Sequence, residues 1–180
     1  MKKLLLTTGI FFLLIFNIQA QELDNKFNHR TTFGIKGGIN NSHLSNISKS
    51  EGYSGIELYG SLFSETRLSK KWSFQNELLF SYTDDYLYLE FPFLLKYHIN
   101  DKWAVFTGPK LDFILNNDFE YINQEFKTLG VSGVLGLEYK FSKHFFIEAT
   151  YNFGFTKQIF SDNLYSTTRK TFRVGIGYKF

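Results

Sequence analysis

The last ten residues, Thr171-Phe-Arg-Val-Gly-Ile-Gly-Tyr-Lys-Phe180, alternate without a break. Phe172, Val174, Ile176, Tyr178 and Phe180 share one face, and Thr171, Arg173, Gly175, Gly177 and Lys179 share the other. Side chains of a strand point to its two faces in turn, so this stretch reads as a strand with one apolar and one polar side. Its length is about what a tilted strand needs to cross a bilayer.

The same alternation recurs upstream, giving seven further strands. They are expected at about residues 31–41, 55–65, 72–82, 86–97, 103–115, 130–141 and 145–156. Their apolar faces carry Phe33, Ile35 and Ile39, then Ile56, Leu58 and Leu62, then Phe74, Leu78 and Phe80. Leu89, Phe91, Phe93 and Leu95 follow, then Leu135, Leu137 and Tyr139, then Ile147, Tyr151 and Phe153. The second strand fits least well, because Tyr59 and Phe63 fall on its polar side.

Three connections are short and alike: Leu68-Ser-Lys-Lys-Trp72, Ile99-Asn-Asp-Lys-Trp103 and Phe141-Ser-Lys-His-Phe145. Each sets a Ser or Asn turn former and a lysine before an aromatic restart. The other four, about 42–54, 83–85, 116–129 and 157–169, are mostly longer. Short turns on one rim and longer loops on the other are the habit of membrane-spanning barrels. Trp72, Trp103, Phe145, Tyr97, Tyr139, Phe141, Tyr178 and Phe180 crowd the short-turn rim, and Tyr53, Tyr82, Tyr86, Phe113 and Phe155 lie near the other. Two aromatic belts are what two membrane interfaces select. The expected fold is all-β: a single closed, antiparallel, up-and-down transmembrane barrel of about eight strands spanning residues 31–180.

The polar faces carry Lys36, Glu57, Glu77, Glu90, Lys96, Lys110, Asp112, Glu138, Lys140, Glu148 and Arg173. A soluble sandwich has no means of burying so many charges in its core, whereas a narrow polar barrel can if they pair. Lys36, Glu77, Glu90, Lys110, Glu138, Glu148 and Arg173 are the candidate interior network. It reads either as a gate or proton path, or as a static salt-bridge plug. The plug is favoured, because side chains about fill an eight-stranded lumen. Glycines on the same faces leave room for long side chains. The only two prolines, Pro92 and Pro109, fall inside the fourth and fifth strands, where each removes a ladder donor. A local break or bulge in that hairpin is expected.

Residues 1–20 read as a signal peptide: Lys2 and Lys3, an uncharged run from Leu4 to Ile18, and Ala20 at the expected cut. Residues 21–30 form a short segment before the barrel. Losing the two lysines leaves 18 bases against 17 acids, so no strongly basic surface and no nucleic-acid partner is expected. The chain has no cysteine, which excludes disulfides and thiolate metal sites.

Phe33-Gly-Ile-Lys-Gly-Gly-Ile-Asn40, Leu68-Ser-Lys-Lys-Trp-Ser-Phe-Gln-Asn-Glu-Leu-Leu79 and Tyr88-Leu-Glu-Phe-Pro-Phe-Leu-Leu-Lys-Tyr97 resemble the opening strand, first turn with third strand, and fourth strand of the PorT-like outer-membrane β-barrel family. The resemblance implies an integral outer-membrane barrel facing outer-membrane lipid. It does not imply one function, since members range from secretion accessory proteins to barrels of no assigned role. Ile176, Tyr178 and Phe180 also resemble the C-terminal signal read by the barrel assembly machinery.

No nucleophile motif, phosphate loop or metal spacing is present, so no catalytic residue, cofactor or metal is expected. His29, His43, His98 and His144 are scattered, and the last two are expected to be solvated beside turns. Ser42 and His43 are neighbours, which points them to opposite faces of a strand. Asp84, Asp85, Asp118 and Glu120 could gather calcium but read more simply as solvated loop acids. Phe119, Tyr121 and Phe126, set among acids in the loop 116–129, read equally as a candidate binding surface for a secretion or surface protein and as a loop packing on its own barrel rim. The leading reading is a non-enzymatic outer-membrane barrel, a surface-loop anchor or an accessory to secretion or envelope assembly. Its rivals are a narrow porin-like channel, a loop-rim lipid-modifying enzyme and a soluble lipocalin-like binder. The last would turn the apolar faces inward, which alternation alone leaves open.

Overall fold

The computed structural model describes residues 30–44, 54–82, 86–117, 124–126, 129–156, 159–161 and 165–180. The expected signal peptide and residues 21–29 lie outside the described residues. Among the described residues eleven strands form: β1 Thr31–Leu44, β2 Ser54–Arg67, β3 Trp72–Tyr82, β4 Tyr86–His98, β5 Trp103–Asn117, β6 Gln124–Phe126, β7 Leu129–Lys140, β8 Phe145–Gly154, β9 Ile159–Ser161, β10 Tyr165–Thr167 and β11 Arg169–Lys179. Eight of them close into an antiparallel barrel in the order β1-β11-β8-β7-β5-β4-β3-β2. Each expected long strand is there, most of them one to several residues longer than alternation alone suggested.

The last strand closes the barrel against the first, from Gly34 opposite Lys179 to Leu44 opposite Arg169. β6, β9 and β10 are a correction to the expected plain loops. They make a separate three-stranded sheet, with β9 between β10 and β6. Phe126 therefore lies in a strand, paired with Ile159, while Phe119 and Tyr121 lie outside the described residues. So do Asp84, Asp85, Asp118 and Glu120.

The three short turns are copies of one another. In each, two N–H groups donate to the carbonyl of the restarting aromatic residue: Leu68 and Ser69 to Trp72, Ile99 and Asn100 to Trp103, Phe141 and Ser142 to Phe145. The turn former then accepts from the backbone two and three residues on. Ser69 Oγ takes Lys71 and Trp72, Asn100 Oδ1 takes Lys102 and Trp103, and Ser142 Oγ takes His144 and Phe145. A short polar side chain that can imitate a backbone acceptor is why Ser or Asn stands there.

The prolines do break the ladder. The β4–β5 pairing stops after Pro92 opposite Lys110 and resumes at Leu95 opposite Thr107. The β3–β4 ladder skips from Asn76–Phe93 to Leu79–Glu90 over the same stretch. The register is the same on both sides of each gap, so the missing donors are absorbed without a slip. A bulge does occur in that hairpin, but between Leu87 and Tyr88, several residues away.

Alternation resolves in one direction. The apolar faces look outward: Phe33, Ile35, Ile56, Leu58, Leu62, Leu135, Ile147, Phe172, Val174 and Ile176 are all exposed. So large a band of exposed apolar side chains marks a lipid-facing surface. Aromatic pairs gather at the short-turn rim, with ring centroids 4.9 Å apart for Trp72–Tyr97, 4.6 Å for Trp103–Tyr139 and 4.9 Å for Phe145–Tyr178. The soluble lipocalin arrangement, with apolar side chains inside, is not the one this chain adopts.

Candidate functional site

The polar faces meet across the lumen and stack in three charged layers. Nearest the short turns, Lys96 Nζ lies 2.7 Å from Glu138 Oε2 and 3.3 Å from Glu65 Oε2. Lys179 Nζ joins the same two carboxylates at 2.8 and 3.0 Å. In the middle, Lys36 Nζ sits 2.6 Å from Glu77 Oε1 and 2.9 Å from Glu148 Oε2, reaching from β1 to two strands that are not its neighbours. Toward the long loops, Glu90 is the hub: Lys110 lies at 2.8 Å, Arg173 at 3.0 Å and Arg169 at 3.2 Å. Lys110 also meets Asp112, Arg169 also meets Glu57, and Ser132 donates to Asp112. Gln75 ties the lower layers together, accepting from Lys96 at 2.5 Å and donating to Glu77 at 2.6 Å.

Pairing is what makes this burial tolerable. An unpaired charge moved out of water costs several kcal/mol, and only opposed charges with good hydrogen bonds offset that. The carboxylates outnumber the cations only in the middle layer, where two share Lys36. Beside that layer is a cavity of about 10 Å³ lined by Lys36, Glu77, Glu148, Thr150, Asn152 and Arg173 among others. The Thr150 hydroxyl and the Asn152 amide are buried there without a protein hydrogen bond. The space suits about one water molecule, which those groups could hold.

Apolar groups fill the remaining cross-section. Leu94, Phe106 and Val134 form a buried cluster. Phe63 and Phe146 meet edge to face at 5.7 Å. These rings explain the inner-face glycines. A Cβ on Gly136 would fall 2.2 Å from the Phe106 ring, one on Gly34 2.3 Å from Phe63, and one on Gly177 2.1 Å from Phe146. Tyr59 and Phe63, the poor fits of the second strand, point inward because the facing glycines give their rings a seat.

Every residue of the candidate network lies inside, and the structure brings them together in the pairs above. Lys140 does not join them. It is half-buried at the short-turn end of β7. Glu65, Lys179 and Arg169 are not among the expected interior charges, although Lys179 stands on the polar face of the last strand and all three have the inward phase. His98 also differs from expectation: it is half-buried, 2.8 Å from Ser73 Oγ and 3.4 Å from Glu65 Oε1. His144 is exposed, as expected, and bonds the Lys179 carbonyl at 2.9 Å. Ser42 is buried near the long-loop end of β1, its Oγ 3.1 Å from Thr171 Oγ1 and 3.2 Å from Arg169 Nε, so its hydroxyl belongs to the interior network. On the outer face Ile176 and Phe180 are exposed and Tyr178 half-buried, with Tyr178 and Phe180 in contact at 5.6 Å.

The family model of the outer membrane protein beta-barrel domain matches residues 85–159, from the start of β4 to β9. Among solved structures, the attachment invasion locus protein Ail of Yersinia pestis is similar at 13% identity and a TM-score of 0.54, over 84% of this chain and 99% of that one. Neisserial surface protein A matches at 12% identity and a TM-score of 0.54, over 84% and 99%. The fold is that of an outer-membrane β-barrel. A designed transmembrane β-barrel is similar too, at 10% identity and a TM-score of 0.51, over 83% of this chain and 95% of the design. No curated protein matches the chain. The outer-membrane barrel described here thus shares its architecture with natural and designed proteins. Its interior charges have to be read from its own residues.

Proposed function

We propose that this protein is a non-enzymatic outer-membrane barrel that acts through what it holds at its long-loop rim, as an anchor for surface loops or as an accessory to protein secretion or envelope assembly. One observation carries the reading: the lumen is filled. Three charged layers and the Leu94, Phe106 and Val134 pack occupy the section that a channel would need open. The connections β5–β7 and β8–β11 meanwhile carry extra strands that pair with each other into a sheet of their own. A sealed barrel with structured connections on one rim suits a scaffold. In this reading the short turns face the periplasm, and the candidate surface of Phe119, Tyr121 and Phe126 belongs to the outward rim. The strand motifs resemble the PorT-like family, some of whose members are secretion accessory proteins, which supports testing the secretion branch beside simple anchoring.

The test compares secreted and surface proteins between a strain lacking the gene and its parent. Particular cargo proteins retained in the periplasm support the export role, and an unchanged profile removes it in favour of anchoring. Planar-bilayer recording of the purified barrel gives the complementary result. Wild type should pass no steady current, and neutralising Arg173 or Glu138 should raise conductance. A steady open channel in the wild type would overturn the sealed-scaffold reading.

A further inference from the structure

The near-zero net charge of the mature chain conceals a strong asymmetry between its two rims. Around the short turns, the first hairpin carries Arg67, Lys70 and Lys71, the second Lys102, and the third Lys140 and Lys143, while Arg30 leads into β1 beside them. Among the described residues of this rim, Asp101 is the one acid beside these seven bases. Arg30, Lys70, Lys71, Lys102 and Lys143 are exposed. The long connections have the opposite bias, with seven acids against three lysines over residues 45–53, 83–85, 118–128 and 157–168. Solubility asks only for mixed charge on a surface. A nearly single-signed ring asks for a partner of the other sign.

The ring stands directly outside the aromatic belt. Lys70 and Lys71 precede Trp72 and Lys102 precedes Trp103, and the Lys71 ammonium lies 5.8 Å from the centre of the Tyr97 ring that packs on Trp72. Belt aromatics sit at headgroup depth, so lysines on their water side stand at the level of lipid phosphates. Their flexible stems let the ammonium groups reach that plane from different turns. We propose that this basic collar binds anionic phospholipid headgroups, phosphatidylglycerol or its relatives, in the leaflet around the short-turn rim. The proposal rests on the membrane reading above and adds a lipid class and a leaflet to it.

The mature protein is folded into vesicles of equal phosphatidylcholine and phosphatidylglycerol, extracted, and its retained lipids weighed by native mass spectrometry. Wild type should keep phosphatidylglycerol over phosphatidylcholine by roughly tenfold or more, given the attraction expected for each lysine near an anionic surface. The variant K70Q/K71Q/K102Q/K143Q should retain the two lipids about evenly. About 0.5 M sodium chloride should erode the wild-type preference, because screening shortens to a few ångströms. Even retention by wild type, or an undiminished preference in the variant, overturns the proposal and turns the collar toward an acidic soluble partner. Loss of the preference to inorganic phosphate, beyond the effect of chloride at equal ionic strength, would also overturn it by revealing a free-anion site. Heat-modifiable mobility after folding into pure phosphatidylcholine is the control. If that fails in wild type, the membrane reading itself falls; if it holds, any failure belongs to the collar alone.

Discussion

Replacing Glu90 by glutamine should destabilise the barrel by about 3–5 kcal/mol, the range seen when one member of a buried ion pair is removed. Glu90 has no solvent exposure and faces Lys110 at 2.8 Å, Arg173 at 3.0 Å and Arg169 at 3.2 Å. Glutamine keeps the shape and takes away the charge. Lys110 still has Asp112 at 2.9 Å, and Arg169 still has Glu57. Arg173 is left with the Asn40 side-chain oxygen, 2.6 Å from its Nε, and no carboxylate. The cost is therefore mostly that of one stranded guanidinium. Against a whole-domain stability of roughly 5–15 kcal/mol this is a large fraction. Urea titration of residues 21–180 in lipid vesicles reads it through tryptophan fluorescence, since the chain's two tryptophans, Trp72 and Trp103, each pack on a tyrosine at the short-turn rim. Removing the guanidinium as well, in Glu90→Gln with Arg173→Met, should recover several kcal/mol of the single-variant loss. A loss below about 1 kcal/mol in the single variant, or a double variant as costly as the sum of the two singles, would refute the view that paired charge holds this interior.

The lipid-facing surface gives a second expectation: Leu135→Arg, at an exposed position near the middle of β7, should cost about 2–4 kcal/mol in vesicle unfolding. A negligible cost would mean that this face meets water. Gly175→Val should destabilise by more than about 2 kcal/mol, because its Cβ would fall 1.8 Å from the Tyr59 hydroxyl, and adding Tyr59→Ala should return part of that in the same assay. Asn100→Ala removes an acceptor that takes two backbone donors at 2.9 Å each. It should lower stability by about 1 kcal/mol while Asn100→Asp retains it, as measured by denaturation midpoint.

Much of this molecule was legible in its own sequence because period-2 alternation is local. Thr171 to Phe180 announces both faces of β11 without help from any other strand. The charged interior was legible for the same reason, down to Lys36, Glu90 and Arg173. What escaped depends on facing strands. Alternation turns Phe146 inward between exposed Phe145 and Ile147, but that a ring fits among the interior charges is explained only by Gly177 opposite it on the adjoining strand. Glu65 is the last residue of its expected strand and Lys179 the next to last of its own, so both have the inward phase; what stayed unseen is that they meet Lys96 and Glu138 across the lumen, which depends on strands that are not neighbours. β6, β9 and β10 have three residues each, too few to show a period, and they exist only because the β5–β7 and β8–β11 connections run alongside one another. Pro92 and Pro109 signalled their break correctly, because a missing donor is a property of the residue itself.

The seam where β1 meets β11 joins the two ends of the chain, and both strands are thin there. Gly34 and Gly38 line one side, Gly175 and Gly177 the other. Tyr59 leans from β2 across both strands, so that a Cβ on Gly38 would lie 2.9 Å from its ring and one on Gly175 would touch its hydroxyl oxygen. One side chain thereby works as a latch over the joint. A seam shifted by a single residue would put Val174 or Ile176 under the ring and refuse it, so the latch checks alignment at the step where the circle shuts. The two strands farthest apart in the chain have little sequence proximity to guide their meeting, and a bolt thrown from next door supplies the guidance.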